Sequence, residues 1–87
     1  MYVVYILYSP LLDRYYIGFT KDISDRLRRH NAKNKGFTKK ANDWKIVYQE
    51  TFIHKAEAMN REKEIKKWKS RILIEKLINS AGSEHSD

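Results

Sequence analysis

The sequence predicts a small α+β domain, in which a β-hairpin and one later strand pack with three helices. Residues 1–20, MYVVYILYSPLLDRYYIGFT, form two runs rich in Val, Ile, Tyr and Phe around Ser9-Pro10, a pattern typical of a hairpin. A third β-branched and aromatic run, KIVYQETF, predicts a strand at about 45–52, in a small sheet that is antiparallel at its core. The helical segments are predicted at about 22–34, 54–69 and 70–79.

The hairpin contains most of the tyrosines. A loop at residues 9–12 would place Tyr5 directly opposite Tyr16, with both side chains on one face of the sheet. Two adjacent phenols are explained equally well by packing and by a functional site, so both interpretations stay open at this point. Three other tyrosines are interpreted as core or rim residues: Tyr2, Tyr8 and Tyr15.

Local signals mark the ends of the helices. Asp22 predicts the N-cap of the first helix, and Gly36 predicts its stop, near Asn34. Ser70 predicts the cap of the third helix, and the sequence leaves open whether that helix continues the second one. Four residues are predicted to form the apolar side of the third helix: Ile72, Leu73, Leu77 and Ile78.

Length and composition predict one small basic domain. The 87 residues fit a single domain at 1–79, with a flexible polar tail at 80–87. Lys+Arg 18 against Asp+Glu 11 gives a net charge of +7, which favours nucleic acid as a partner, then an anionic membrane, over a basic surface without a specific partner.

Cysteine usage and the amino-terminal sequence bear on the compartment. The absence of cysteine excludes disulfides and thiolate metal sites, and it is compatible with a reducing cytoplasm. The first apolar run is interrupted by tyrosines and ended by proline, so it predicts neither a signal peptide nor a membrane span. We therefore expect a cytoplasmic protein.

One carboxylate of the second helix falls on the apolar side. Ala58, Met59 and Ile65 define an apolar arc at 100° per residue, and Glu62 lies inside it. A carboxylate that faces the core needs an ion pair, a hydrogen bond or a bound cation. Pairing with an arginine at the rim and a metal site both stay open, and Lys66 is either its helical partner or a phosphate contact.

The first helix adds Arg26 and His30, which are four residues apart and therefore neighbours. Cleavage of a phosphodiester needs a base for water, cations against developing charge and a hard metal ion held by carboxylate and phosphate oxygens. A tyrosine base would need nearby cations, because a free phenol has a pKa of about 10. The inventory permits a one-metal nuclease.

Spacing makes the pattern more specific. Val4-Tyr5-Ile6 followed by Tyr16-Ile17-Gly18 resembles the two halves of the signature of the GIY-YIG nuclease family. The resemblance continues with Arg26, then His30, then Glu62 in the context AMNRE. The trailing segment IKKW is similar to small stand-alone bacterial members, and the resemblance covers nearly the whole chain, to about residue 78.

The resemblance implies a three-stranded antiparallel sheet flanked by helices, and a phosphodiesterase that uses Mg²⁺ or Mn²⁺ on DNA, as in repair or recombination. Glu62 would hold the metal, and Tyr5 and Tyr16 would lie at the reacting water and phosphate, one of them as general base. Arg26 would bind the scissile phosphate, and His30 matches a catalytic or orienting position. Gly18 would allow close backbone packing.

Three positions depart from the family pattern. Val4 replaces the first glycine of the signature, and Phe19 and Ile74 stand where DNA-repair members have a lysine and an asparagine. Two alternatives to an active nuclease therefore stay open, a binding module with the same fold and a partner subunit that uses Trp68 and the last helix. Six lysines are the predicted nucleic-acid contacts: Lys33, Lys35, Lys39, Lys40, Lys66 and Lys69.

Overall fold

Three antiparallel strands form one sheet in the order β2–β1–β3, where β1 spans Tyr2–Ser9, β2 Arg14–Thr20 and β3 Lys45–Phe52. The helices are α1 (Ile23–Asn31), α2 (Lys55–Trp68) and α3 (Arg71–His85). The structure, a computed structural model, describes the backbone of residues 1–32 and 41–85 and the side chains of residues 1–32 and 41–81. The predicted α+β class is confirmed, and β3 has the predicted bounds.

The central strand β1 is covered on both faces. Val4 and Ile6 pack on one face against α2 and α3. Tyr5 and Leu7 pack on the opposite face, against α1 and Trp44. All four β1 side chains are at most 1% exposed. Coverage of both faces explains why β1 is an almost continuous apolar run.

The hairpin register differs from the predicted one by two residues. Tyr5 pairs with Gly18, and Tyr16 pairs with Leu7, so the predicted direct pairing of the two tyrosines is wrong. Side chains alternate along a strand with a period of two, so a shift of two residues leaves both tyrosines on the same face. Their ring centroids are 6.4 Å apart.

A four-residue loop at 10–13 accounts for the shift. The buried hydroxyl of Ser9 donates to Asp43 Oδ1 at 2.6 Å, which keeps Ser9 as the last residue of β1 and not the first of the loop. Asp13 closes the loop with a left-handed φ of 53° and donates its N–H to the Ser9 carbonyl at 2.7 Å. The register is thus set by a contact with a residue 34 positions away, which no local pattern shows.

Helix α1 ends earlier than predicted. Asp22 is its N-cap, as expected, and accepts the N–H of Asp25. The last residue is Asn31 and not Asn34, because the Asn31 amide donates to the Trp44 carbonyl at 3.0 Å and accepts the Trp44 N–H at 2.7 Å. These bonds fix the helix end to the segment that enters β3. The predicted stop, Gly36, lies outside the described residues.

Helix α3 is separate from α2 and longer than predicted. Lys69 adopts a left-handed φ of 46°, and Ser70 Oγ caps α3 by accepting the Leu73 N–H, so the predicted cap is confirmed. The helix continues to His85 and not to about 79, because extending a formed helix costs little even through weak helix formers.

Of the four residues predicted to form the apolar side of α3, two pack against the core and two are exposed. Ile74, Leu77 and Ile78, spaced i, i+3 and i+4, pack against the core. Ile72 and Leu73 are 67% and 43% exposed, because at 100° per residue Ile72 lies opposite that buried face and Leu73 lies at its edge.

Trp68 bears on the alternative of a partner subunit, and the lengths of the helices bear on a membrane-spanning segment. Trp68 is half-buried against the core, with the Arg61 guanidinium 5.7 Å from its ring centroid, so part of the indole is already packed within the domain. Within the described residues, no helix has the length and apolar character that crossing a membrane requires.

Candidate active site

The first element of the site is the contact between Tyr5 and Gly18. A Cβ atom at Gly18 would lie 2.6 Å from Tyr5 Oη and 2.8 Å from Tyr5 Cζ, which is closer than van der Waals contact allows. The phenol therefore lies directly on the backbone of β2, in the space that a side chain would occupy. Only glycine at this position lets the Tyr5 hydroxyl reach across the edge strand.

Helix α1 places a histidine against the tyrosines. Ile23 and Leu27 of α1 pack on the sheet, and His30, on the same face of the helix, is 7% exposed. His30 Nε2 lies 3.1 Å from Tyr5 Oη, within hydrogen-bonding distance. The imidazole ring centroid is 4.6 Å from that of Tyr16, so His30 contacts both tyrosines.

Burial keeps both hydrogen-bonded groups neutral. It raises the pKa of the Tyr5 phenol well above its ordinary value, with smaller contributions from Tyr16 and Glu62 and an opposing one from Arg26. Burial, and then the positive charge of Arg26, lower the pKa of His30 below its ordinary value of 6.5. At neutral pH a neutral phenol therefore faces a neutral imidazole, and a single proton is shared between the two atoms.

Four of the five predicted catalytic residues line one open cavity of about 620 Å³, together with Gly18. We call this cavity the tyrosine cleft. The four residues are Tyr5, Tyr16, Arg26 and Glu62. His30, the fifth, is not among the lining residues and lies behind the cleft, bonded to Tyr5. Strands β1 and β2 and helices α1 and α2 each contribute one of the four.

Glu62 stands on the side of α2 that turns toward the cleft. Its side chain is 17% exposed, and Oε2 accepts a hydrogen bond from Lys66 Nζ at 3.3 Å. Its partner is therefore a lysine one turn along the helix, and not an arginine at the rim. The Lys66 side chain is 52% exposed, so water screens this pair and the attraction is weak.

The residues of the cleft fit a metal ion that is shared with substrate. In the part of the chain that the structure describes, no three His, Cys, Asp or Glu side chains are grouped to hold a metal. Mg²⁺ does not need such a group, since it binds through one or two carboxylates, several waters and phosphate oxygens. Glu62 supplies one carboxylate, and Arg26 faces the same space and can hold the phosphate.

Sequence reasoning missed several residues of the cleft. Lys21, Arg29 and Lys55 also line it, together with Asp22 and Asp25, and Arg29 pairs with Asp25 at 3.0 Å. The added positive charge that is not paired within the described residues therefore comes from Lys21 and Lys55. Lys55 precedes Glu62 by seven residues, two turns of the same helix face, which is a signal that could have identified it. Tyr2, interpreted as core or rim, lines the cleft as well, with Lys21 Nζ 5.4 Å from its ring centroid.

Two of the six predicted nucleic-acid contacts lie outside the tyrosine cleft. Lys66 and Lys69 do not line the tyrosine cleft but a second cavity, between β2 and the junction of α2 with α3. The other four predicted lysines lie outside the described residues: Lys33, Lys35, Lys39 and Lys40. Of the two departures from the repair-type pattern, Phe19 lines the cleft, whereas Ile74 is buried in the core beneath α3.

Comparisons with known proteins identify a family. The model of the GIY-YIG catalytic domain matches residues 1–77. Among curated proteins, UPF0213 protein SH2523 of Staphylococcus haemolyticus is 46% identical over 52 residues, and UPF0213 protein SERP0126 of Staphylococcus epidermidis is 44% identical over 52 residues. Each alignment covers 59% of this chain and 63% of the relative's length.

No solved structure gives a significant match to the chain. The family model, in contrast, covers both halves of the hairpin, the helix that holds Arg26 and the helix that holds Glu62. The chain therefore belongs to the GIY-YIG family.

Proposed function

We propose that the protein is a divalent-metal-dependent endonuclease that hydrolyses phosphodiester bonds of DNA. The observation that supports this most strongly is the grouping of Tyr5, Tyr16, Arg26 and Glu62 around one open cleft. Membership of the GIY-YIG family implies cleavage of DNA. The net charge of +7 is consistent with a polyanionic substrate.

Tyr5 and His30 are the proposed proton-handling pair. The Tyr5 oxygen takes a proton from the attacking water while the phenolic proton passes to His30 Nε2, 3.1 Å away, with the imidazole in the tautomer that carries its own proton on Nδ1. The relay allows Tyr5 to act as a base even though burial holds it protonated at rest. Tyr5 is therefore our candidate for the general base, and Tyr16 is assigned to the phosphate side of the cleft.

Positive side chains would stabilise the charge that develops on the phosphate. Arg26 is assigned to the scissile phosphate, where its planar guanidinium can donate two hydrogen bonds. Glu62 would hold Mg²⁺ or Mn²⁺, and the ion, when bound, supplies charge stabilisation that one carboxylate and one arginine do not. Lys55 and Lys21 add to the positive field of the cleft and attract the substrate.

The cleft has the character of a backbone-binding site. Its positive groups suit phosphates, and phosphate contacts position a nucleic acid without reading its sequence. We propose structure-selective or weakly sequence-specific cleavage in the cytoplasm.

The test is incubation of the purified protein with supercoiled plasmid, branched DNA and single-stranded DNA, with Mg²⁺ or Mn²⁺ and with EDTA. We expect cleavage of at least one substrate with metal and none with EDTA. Arg26→Gln should lower the rate by about 100-fold or more, because a donor to the developing charge is lost. An intact substrate in every reaction with metal would exclude the proposal.

A second candidate function is nucleic-acid binding without cleavage. It is favoured by the raised pKa of Tyr5, which opposes loss of the phenolic proton, and by basic residues outside the cleft. This candidate predicts tight binding that weakens steeply with salt, no cleavage, and equal binding by the parent protein and Glu62→Gln.

A further inference from the structure

A second cavity, of about 370 Å³, lies between β2 and the junction of α2 with α3. Four basic side chains and one carboxylate line it: Arg14, Lys66, Lys69, Arg71 and Asp13. The buried side chains of Ile65 and Ile74 contribute an apolar part of its wall. We call it the basic cavity.

The four positive charges are not equally available. Arg71 pairs with Asp13 at 2.6 Å and with Glu75 at 3.1 Å, and Lys66 pairs with Glu62. Arg14 and Lys69 are exposed and form no ion pair with any residue that the structure describes. The free positive charge of the basic cavity therefore comes from these two side chains.

The amino end of α3 adds to that charge. Helix α3 begins at Arg71, beside Ser70, and both residues line the basic cavity. The partial positive charge of a helix amino terminus favours an anion there. It would not form a site by itself, and it strengthens one formed by Arg14 and Lys69.

The basic cavity and the tyrosine cleft lie along the same pair of elements. Lys69, the C-cap of α2, follows Glu62 by seven residues, a rise of about 10 Å at 1.5 Å per residue. Arg14 precedes Gly18 by four residues on β2, about 13 Å at 3.3 Å per residue. A strand of duplex DNA carries one phosphate per 3.4 Å of axis, so this separation corresponds to about three or four nucleotides.

We propose that the basic cavity binds a second backbone phosphate of the DNA strand whose scissile phosphate occupies the tyrosine cleft. The inference rests on the proposed function, since it names a further contact of the same substrate. Arg14 and Lys69 bind this phosphate, three or four nucleotides from the cleaved bond. The edge strand β2 and helix α2 together form the track that the strand follows.

The shared edge favours nucleic acid over an unrelated anion. A free phosphate or an acidic peptide would have no reason to lie within a few nucleotide spacings of the cleft. A DNA strand held there gains orientation from two fixed points, which places the scissile bond without any contact to the bases. The two cavities then act as one extended site.

The test compares two double variants that remove the same amount of charge. Arg14→Gln/Lys69→Asn changes the basic cavity, and Asn suits the left-handed backbone at residue 69. Lys63→Gln/Lys67→Gln changes two exposed lysines of α2 that line neither cavity. Binding to a 20-base-pair duplex is measured by fluorescence anisotropy in EDTA as a function of salt concentration, and folding is checked by circular dichroism.

The slope of log affinity against log salt should fall by about 1.8 for the first variant, because two phosphate contacts are lost. It should fall by less than half as much for the second variant. If the Asn substitution unfolds the protein, Lys69→Gly, which accepts a φ of 46°, replaces it. Equal slopes for the two double variants would overturn the inference and leave the proposed nuclease standing. A parent protein that binds no DNA at low salt would overturn both.

Discussion

Gly18 is the residue on which the geometry of the tyrosine cleft depends most directly. Gly18→Ala would place a methyl group 2.6 Å from Tyr5 Oη, and the fully buried Tyr5 ring has little room to move. We expect a loss of about 1–3 kcal/mol in the free energy of unfolding, typical of overpacking. Cleavage should fall more than stability explains, since the phenol is displaced from His30.

Thermal unfolding and cleavage rates measured at a temperature where the variant is folded check this prediction. Val4→Ala, which removes packing from the opposite face of β1, serves as the control. It should lower stability but keep the cleavage rate at that temperature. A Gly18→Ala variant with the parent's rate would show that the Tyr5 contact is only structural.

His30 predicts a specific dependence on pH. To accept the Tyr5 proton it must be neutral, and burial and Arg26 lower its pKa below 6.5. We expect kcat/KM to be independent of His30 titration at neutral pH and to fall only below pH 6.5. His30→Gln should lower kcat by about 100-fold, the effect of a lost acid–base group. An acid limb with its midpoint above 6.5 would contradict the assignment.

The same lowered pKa affects folding. Unfolding returns His30 to its ordinary pKa of 6.5, so the unfolded chain binds the proton more readily than the folded one. Neutral His30 therefore contributes to the free energy of unfolding above pH 6.5. This contribution is lost as the pH falls below 6.5 and through the lower pKa that His30 has in the folded protein. Denaturant unfolding at several pH values should show that the free energy of unfolding falls more steeply below pH 6.5 in the parent protein than in His30→Gln.

At the scale of elements, the position of α2 over the sheet determines where Glu62 points. Arg61, the preceding residue, donates from Nε to both oxygens of Glu50 on β3, at 3.2 and 3.0 Å. Tyr48 donates to the same carboxylate at 2.5 Å, and burial and this bond raise the pKa of Tyr48 to about 12. The side chains of Arg61 and Glu50 are each 23% exposed, so the pair is largely shielded from water.

We therefore expect Arg61→Met to misplace Glu62 as well as to destabilise the fold. Removing the arginine leaves Glu50 without its cationic partner, at a cost of about 1–3 kcal/mol for a half-buried pair. Mn²⁺ binding, measured by titration calorimetry on folded protein, should weaken. Lys63→Met, an exposed neighbour on α2, is the matched control and should change neither quantity. Normal Mn²⁺ affinity in Arg61→Met would show that the pair contributes stability alone.

The elements show where sequence reasoning succeeds. The period-two and 3.6-residue patterns locate all three strands and the starts of the helices, because those patterns arise from burial of one face. The patterns fail where a contact with a distant residue determines the strand register or the end of a helix. Asp43 holds Ser9 in β1 and shifts the register, and Asn31 ends α1 by bonding to Trp44.

In the tyrosine cleft, too, some residues could be predicted from the sequence and others could not. The resemblance to the GIY-YIG signature singles out Tyr5, Tyr16, Arg26 and Glu62 in the sequence, but the residues that support them could not be predicted. The hydrogen bond between Tyr5 and His30 joins residues 25 positions apart, and Lys21 and Arg29 reach the cleft only through the fold. The chemistry of a residue is visible in the sequence, whereas its neighbours depend on the tertiary structure.

At the scale of the whole molecule, one central strand serves two functions. Val4 and Ile6 of β1 anchor the core beneath α2 and α3, while Tyr5 on the opposite face lines the tyrosine cleft. The cleft and the basic cavity share the β2 edge, and in the proposed nuclease this edge is the track for one DNA strand.

In the proposed nuclease, Glu62 holds the metal that cleavage requires. The most direct measurement is the single-turnover rate of DNA cleavage as a function of Mn²⁺ concentration, for the parent protein, Glu62→Gln and the control Lys63→Gln. We predict saturating Mn²⁺ dependence for the parent protein and the control. Glu62→Gln should lose at least about 100-fold in rate at every Mn²⁺ concentration, because its amide is a poor ligand for a hard cation. A Glu62→Gln variant that cleaves at the parent rate with the same Mn²⁺ dependence would contradict the account.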